Sequence, residues 1–147
     1  GILAITGCVT SAVTVCTNGI LTGTGLITNS ATAITVNGGG IIDPGSVGST
    51  GALTVTGNVY FATGGKFQAD INGLSADLLA LSGTVSAESG PVQVNLSING
   101  EGTWKIMTAA NIIPEFTTTL TGVTFAKLNG NTELWVTYRS GSVFYFN

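Results

Sequence analysis

Carboxylates are the side chains of this chain that could do acid–base or metal chemistry. The 147-residue sequence has no histidine, so the commonest general base and a frequent metal ligand are both missing. Asp70 and Asp77 could face each other if they lie on adjacent turns, and paired carboxylates of this kind hydrolyse glycosides in some enzymes. The seven acidic residues are Asp43, Asp70, Asp77, Glu88, Glu101, Glu115 and Glu133.

The local sequence favours a structural role for this aspartate pair. Asp70 precedes Ile71-Asn72-Gly73 and Asp77 follows Ser75-Ala76, a setting typical of turn residues that bind nearby backbone N–H groups. Calcium binding by these turns is one alternative, and a polysaccharide lyase or hydrolase is the enzymatic one. We therefore predict no catalytic residue, no metal ligand and no cofactor, and we do not expect an enzyme.

Cys8 and Cys16 are the other reactive pair. They lie eight positions apart, and an even number of cysteines in a secreted chain favours a disulfide. An intramolecular bridge over so short a loop would stabilise the fold by roughly 2–3 kcal/mol. A bridge between subunits and two buried free thiols are the alternatives. The pair has no third or fourth ligand nearby, which makes it a poor metal site.

Charge is unusually scarce along the chain. Charged residues make up 7% of the sequence, against about 25% in typical soluble domains, and mean hydropathy is +0.48. Because charge opposes association, such a surface is expected to associate. A net charge of -3 with four Lys and Arg residues excludes a nucleic-acid partner. Gly and Thr interrupt the apolar runs, so no transmembrane helix is expected.

A repeat of roughly twenty residues predicts how the chain is organised. Each unit is a short β-branched strand, a turn built on Asn or Gly, and a second apolar strand. The strands that end at Val15, Val36 and Val55 align in this pattern, with turns at residues 18–19, 37–38 and 57–58. We therefore expect one all-β domain over residues 1–147, with repetitive coils over about 1–110.

One part of the repeat resembles a known family. Residues 37–58, NGGGIIDPGSVGSTGALTVTGN, are similar to a G-G-x-I-x-P-G-x-S-x-G-x-L-T-V-x-G-N phrase. The phrase occurs in autotransporter passenger domains and autotransporter-associated β-strand repeats, and the similarity extends over roughly residues 12–110. The resemblance implies a secreted right-handed parallel β-helix, a β-solenoid. It makes Asp43-Pro44-Gly45-Ser46 a coil corner, and it implies no activity.

The C-terminal third, about residues 111–147, has a different character. Aromatic residues gather there, and strands are predicted at residues 117–125, 132–138 and 142–146. Asn129-Gly130-Asn131 between two apolar runs is a hairpin signal, so this end is expected to be antiparallel. Its expected role is a cap or docking platform on the last coil.

The two ends of a parallel β-helix determine the function we expect. Each end exposes unpaired backbone groups and apolar core, which pair with another molecule unless they are covered. A head-to-tail contact that does not close gives a filament. We therefore expect a secreted, cell-surface structural subunit that forms a homopolymeric filament or sheath. The expected interface residues are Ile2, Leu3, Ile5, Val143, Phe144, Tyr145 and Phe146.

The alternative function is a short autotransporter-type adhesin, stalk or carbohydrate-binding module that acts as a monomer. A cell-surface polysaccharide is then the candidate partner. Both functions place the protein outside the cell, and regular fibres in electron micrographs would distinguish the first from the second.

Overall fold

The computed structural model describes residues 1–140, and this part of the chain is entirely β-structure with no helix. β-Branched residues and frequent Gly and Asn turns explain this content, because both disfavour helix. The strands are β1 (Ile2–Ile5), β2 (Cys8–Val9), β3 (Val13–Val15), β4 (Ile20–Gly23), β5 (Leu26–Val36), β6 (Ile41–Pro44), β7 (Ala52–Phe61), β8 (Lys66–Asn72), β9 (Ser75–Ala76), β10 (Leu78–Leu81), β11 (Thr84–Ala87), β12 (Val92–Ile98), β13 (Gly102–Thr108), β14 (Asn111–Ile112), β15 (Phe116–Thr117), β16 (Val123–Leu128) and β17 (Glu133–Tyr138).

The first sheet is parallel along its main path, in the order β1-β4-β6-β8-β12-β15. Successive partners in one column are Ile2, Ile20, Ile41, Lys66 and Gln93, so each step uses roughly 18–27 residues. The short strand β9 folds back antiparallel on β8 and leaves this path.

The second sheet has ten strands and changes direction near its C-terminal end. It runs in the order β14-β11-β7-β10-β13-β17-β16, and β5 joins it through β7, β2 and β3. Pairing is parallel up to β13, and β17 and β16 then add antiparallel strands. The antiparallel C-terminal end is therefore confirmed for the described residues.

The first two repeats pair as predicted. Val15 lies beside Val36 in β3 and β5, and Ile20 lies beside Ile41 in β4 and β6. The left-handed Asn18, with φ of 65°, forms the first turn between them. The turn residues and the alternation of apolar with polar side chains were sufficient to predict this pairing, because the segment between the two strands has the same length in both repeats.

The predicted alignment of the third repeat is wrong. Val55 pairs with Ile27, and Val36 pairs with Phe61 instead. The reason is that β7 runs unbroken through Gly57, where a turn was predicted. A Cβ on Gly57 would lie 2.0 Å from the Asn29 carbonyl oxygen, so this glycine permits close packing of two strands inside the sheet.

The core lies between the sheets and follows the period-two pattern of the strands. In β7 the side chains of Leu53, Val55, Val59 and Phe61 are buried, while alternate residues point outward. The largest fully buried side chains are Phe61, Phe67, Leu21, Ile27, Ile34, Ile42, Leu53, Leu79, Ile106, Met107, Ile112 and Leu134.

The C-terminal hairpin forms at the predicted turn. Asn129, Gly130 and Asn131 all have positive φ and connect β16 to β17. The strand predicted over residues 117–125 is interrupted, because Gly122 adopts a φ of 82° and the chain turns before β16. The strand predicted over residues 142–146 lies outside the described residues.

Within residues 1–140, no helix is long and apolar enough to cross a membrane.

Candidate functional site

Three aspartates from distant parts of the chain converge inside the fold. Asp43 lies in β6, Asp70 lies in β8, and Asp77 directly follows β9. One carboxylate oxygen from each lies within 4.8 Å of the others. All three are buried, with 3%, 7% and 0% of their surface exposed. We call these three residues the aspartate cluster.

The β8–β9 hairpin brings two members of the cluster together. Gly73, with φ of 64°, makes the tight turn that lets β9 return along β8. The Asp77 N–H donates to the Asp70 carbonyl at 2.8 Å, and the Asp70 N–H donates to Asp77 Oδ2 at 2.8 Å. This reciprocal pair fixes the Asp77 side chain against the backbone of its neighbour.

The loop after β6 closes over the cluster. The Gly51 N–H donates to Asp77 Oδ1 at 2.9 Å, which ties this loop to the hairpin. Gly45 has φ of 82°, and a Cβ there would lie 2.7 Å from the Gly51 nitrogen and 3.0 Å from Asp77 Oδ1. The Thr22 hydroxyl donates to the Gly45 carbonyl at 2.5 Å and anchors the loop from β4. Asp43 and Pro44 continue β6, so the corner predicted at residues 43–46 is displaced to the turn at Val47 and Gly48, and the loop from Gly45 to Gly51 forms one wall of the cluster.

Two oxygens of the cluster receive no hydrogen bond from a donor within residues 1–140. They are Asp43 Oδ1 and Asp70 Oδ2, and both are shielded from solvent. Asp70 Oδ1 does have a partner, since the Gln68 side-chain amide donates to it at 3.0 Å. Buried polar atoms without partners are uncommon in folded proteins and call for a bound proton, water or ion.

Burial is the main reason that the pKa values of two of these carboxyl groups are raised. Desolvation, reinforced by the charge of Asp70, raises the pKa of Asp43 from 3.8 to about 7. Desolvation also raises the pKa of Asp77 to about 8, with the charges of Asp70 and Asp43 adding to it. The N–H groups of Asp70 and Gly51 oppose this increase in the Asp77 pKa, because they stabilise its carboxylate.

No cationic side chain compensates the cluster. The two ion pairs in residues 1–140 join Lys105 to Glu133 and Lys127 to Glu115, away from the aspartates. Two unit charges 4.8 Å apart repel by about 3–4 kcal/mol at an effective dielectric constant of 20. Protons or a bound cation would offset this repulsion.

A polar cleft of about 410 Å³ opens beside the cluster. Asp70 forms part of its wall together with Asn72 and Asn99, whose side chains are hydrogen-bonded at 2.6 Å. The remaining lining residues are Gly48, Ser49, Thr50, Ile71 and Ser97. This cleft offers a route by which water or an ion reaches the buried carboxylates.

The sequence predicted part of this arrangement. Asp70 and Asp77 do face each other, and Asp77 accepts backbone hydrogen bonds as predicted. The same turn role predicted for Asp70 is not observed in the described residues, because Asp70 lies inside β8 and its side chain accepts from the Gln68 amide. The inclusion of Asp43 was missed, because its register beside Thr22 depends on the pairing of β6 with β4. The available signal was an acidic residue that directly follows two strand isoleucines, Ile41 and Ile42.

The structure holds Cys8 and Cys16 as free, exposed thiols. Cys8 pairs with Leu26 at the start of β5, whereas Cys16 follows Val15, which pairs with Val36 at its end. An intramolecular bridge requires Cα atoms less than about 7 Å apart, and this structure does not form one. The alternative of two buried thiols is wrong, since both are exposed. A bridge between subunits stays a prediction.

Among residues 1–140, the N-terminal edge of both sheets is open. Strand β1 pairs there with β4 alone, and β2 and β3 pair with β5 alone, so one side of each has no partner strand from this part of the chain. Ile2 and Leu3 are 62% and 53% exposed, whereas Ile5 is buried in the core. A cleft of about 350 Å³ runs between β1 and β3, bordered by Ile2, Leu3 and Val13. The other predicted interface residues, Val143, Phe144, Tyr145 and Phe146, lie outside the described residues.

The opposite end of the described structure carries the C-terminal hairpin, and β14, β15 and β16 there have one partner strand each among residues 1–140. Lys127 in β16 donates to the carbonyls of Ile112, Ile113 and Pro114 at 3.1–3.5 Å and pairs with Glu115 at 3.0 Å. The rings of Phe116 and Phe125 also pack there, with centroids 6.3 Å apart. A charged side chain on an edge strand opposes further strand pairing. The two ends of the described structure therefore differ in what they can bind.

No protein-family model matches the chain, and no curated protein gives a significant sequence match. The similarity to autotransporter repeats stays a prediction.

Proposed function

We propose that this chain is an extracellular structural subunit that self-assembles by docking a strand of one copy on the N-terminal edge of another. The observation that carries the proposal is the open edge formed by β1, β2 and β3, with Ile2 and Leu3 exposed on it. Unpaired N–H and C=O groups beside apolar side chains are a template for an added strand.

The proposed architecture is a right-handed parallel β-solenoid. Repeated parallel partners such as Ile2, Ile20 and Ile41 support stacked coils. In a stack of coils each layer is covered by the next, and only the two terminal layers expose edges. An uncovered terminal layer is therefore where assembly is expected.

The proposed donor strand is residues 142–147 of a second copy. Val143, Phe144, Tyr145 and Phe146 are apolar and uncharged, which suits pairing with an apolar edge. Five strand-to-strand steps separate β2 from β17, or about 24 Å at the usual spacing. The seven residues after Ser140 span at most about 25 Å when fully extended. Residues 141–147 cannot cross that distance and also pair along the edge, which supports docking on a second copy.

The chain's low charge supports an assembled state. Only four Lys and Arg residues occur in the chain, and none of them lies in β1, β2 or β3. The single cation on the edge strand β16 is Lys127, which is engaged with neighbouring carbonyls. Because repetition of this contact is head-to-tail, each added copy presents a new open edge and the product is a filament.

Negative-stain electron microscopy and sedimentation velocity of the 147-residue chain test this proposal. Filaments that lengthen with protein concentration are the expected result. A monodisperse monomer at high concentration would contradict it and would favour the monomeric adhesin or stalk instead.

A further inference from the structure

The aspartate cluster carries an inference that goes beyond assembly. We propose that Asp43, Asp70 and Asp77 bind a hard divalent cation, and that Ca²⁺ is the ion that fits them. Three carboxylates and no soft ligand make the set typical of Ca²⁺, Mg²⁺ or Mn²⁺ sites.

The number of carboxylates favours Ca²⁺ over Mg²⁺. Calcium takes six to eight oxygen ligands, including several carboxylates, whereas Mg²⁺ usually keeps several waters and is held by one or two carboxylates. Here three aspartates each offer one carboxylate oxygen, and these oxygens lie within 4.8 Å of one another. The cluster therefore supplies more carboxylate ligands than a typical Mg²⁺ site.

The two unpartnered oxygens are a second, independent indication of a ligand. Asp43 Oδ1 and Asp70 Oδ2 are buried, belong to carboxylates of the cluster and receive no hydrogen bond. Both oxygens of Asp77 accept backbone N–H groups, which orient this carboxylate and leave each oxygen a further lone pair. The Gln68 amide orients Asp70 in the same way. Carboxylates held by such outer hydrogen bonds are preorganised for an ion.

The site also joins segments that lie far apart in the sequence. Asp43 belongs to the strand before the loop at residues 45–51, and Asp77 receives the Gly51 N–H from that loop. A cation held here would connect β6, β8 and the end of the β8–β9 hairpin. Its binding would therefore stabilise the fold, because the ion binds the folded chain and not the separated aspartates.

The experiment is calcium titration of the 147-residue chain after EDTA treatment and dialysis, at pH 8 and constant ionic strength. Isothermal calorimetry should show one Ca²⁺ per chain, and Mg²⁺ should bind more weakly. The melting temperature should rise by about 5–10 °C at a Ca²⁺ concentration one hundred times the Kd. KCl at matched ionic strength should not reproduce this rise.

Three variants locate the site. Asp70→Asn and Asp43→Asn keep the side-chain shape and should weaken Ca²⁺ binding by at least about tenfold. Glu88→Gln makes the same charge change at an exposed residue and should bind Ca²⁺ as the unaltered chain does. If the aspartate variants do not fold, the calorimetry of the unaltered chain still decides whether Ca²⁺ binds.

Two results would overturn the proposal. One is an unaltered chain that neither binds Ca²⁺ nor gains stability from it at pH 8, which would leave a cluster that holds only protons. The other is equal Ca²⁺ affinity in Asp70→Asn, Glu88→Gln and the unaltered chain, which would place the ion elsewhere.

Discussion

Two hydrogen bonds of 2.8 Å join Asp70 and Asp77. The Asp70 N–H donates to Asp77 Oδ2, and the Asp77 N–H donates to the Asp70 carbonyl. This exchange holds the Asp77 carboxylate in the interior beside a second carboxylate. Repulsion within the cluster therefore belongs to the folded state and is lost on unfolding, which makes it measurable as a change in stability.

The first prediction is that the metal-free protein loses stability as pH rises from about 4 to 8. The pKa values of Asp43 and Asp77 are raised to about 7 and about 8, so the folded chain keeps protons that the unfolded chain releases above 3.8. The stabilisation is complete below about pH 4 and is lost through the folded pKa values. At about 1.4 kcal/mol per pKa unit, the two raised pKa values set an upper bound of about 10 kcal/mol, and the free energy of unfolding in EDTA should fall by several kcal/mol across this window, as measured by urea titration.

The matched variants for this pH dependence are Asp77→Asn and Glu88→Gln. Asp77→Asn should make the free energy of unfolding fall less steeply with pH, because it removes one of the two carboxyl groups whose pKa is raised. Glu88→Gln should leave the slope unchanged. A free energy of unfolding that rises from pH 5 to pH 8 in the unaltered chain would show that the aspartates are not proton-bound.

The second prediction concerns Gly45. Gly45→Ala should destabilise the fold by about 2–4 kcal/mol, because φ is positive and the new Cβ would lie 2.7 Å from the Gly51 nitrogen. Gly48→Ala is the control, since Gly48 has a similar φ of 79° and no atom within 4 Å of the added Cβ. Its cost should be about 1–2 kcal/mol. Equal losses in urea unfolding would mean that the loop does not pack closely on the cluster.

The third prediction concerns the core register of β7. Val55→Asp should cost more than about 4 kcal/mol and unfold the chain, because it places an unpaired charge among buried side chains. Val36→Asp should behave alike. Thr54→Asp, one position away on the exposed face, should change stability by less than about 1 kcal/mol. Retained circular dichroism and melting in Val55→Asp would contradict the register.

The fourth prediction tests the two partners in assembly. Deletion of residues 142–147 should leave a folded chain that no longer forms filaments. The double substitution Phe144→Lys and Phe146→Lys should have the same effect. Leu3→Lys on the open edge should act in the same way. Leu74→Lys is the control, since Leu74 is fully exposed at the tip of the β8–β9 hairpin. Electron microscopy should show filaments for the control alone, and normal filaments from the deletion would exclude residues 142–147 as the donor.

The fifth prediction concerns Cys8 and Cys16. Exposed thiols near an open edge can join two copies in an oxidising compartment. Non-reducing mass analysis of native material should then show no free thiol and covalent dimers or longer chains. Rapid alkylation of both cysteines without a reductant would contradict a bridge between subunits, and an oxidised monomer would restore the intramolecular one.

Short-range sequence signals predicted much of the fold. β-Branched runs bounded by Asn and Gly determined an all-β chain, the left-handed turn at Asn18 and the hairpin at Gly130, because those conformations depend on neighbouring residues alone. The same signals aligned Val15 with Val36. The sequence could also predict that Asp70 and Asp77 lie close together, because they are seven positions apart on either side of a single turn.

The tertiary structure decided what depends on register between distant strands. Gly57 has the residue type of a turn but lies inside β7, where the close approach of Asn29 requires it. Asp43 joins Asp70 and Asp77 only because β6 lies beside β8 and the loop before β7 folds over them. Neighbouring residues alone determine neither outcome, because a shift of strand pairing by one residue would reverse which side chains point inward.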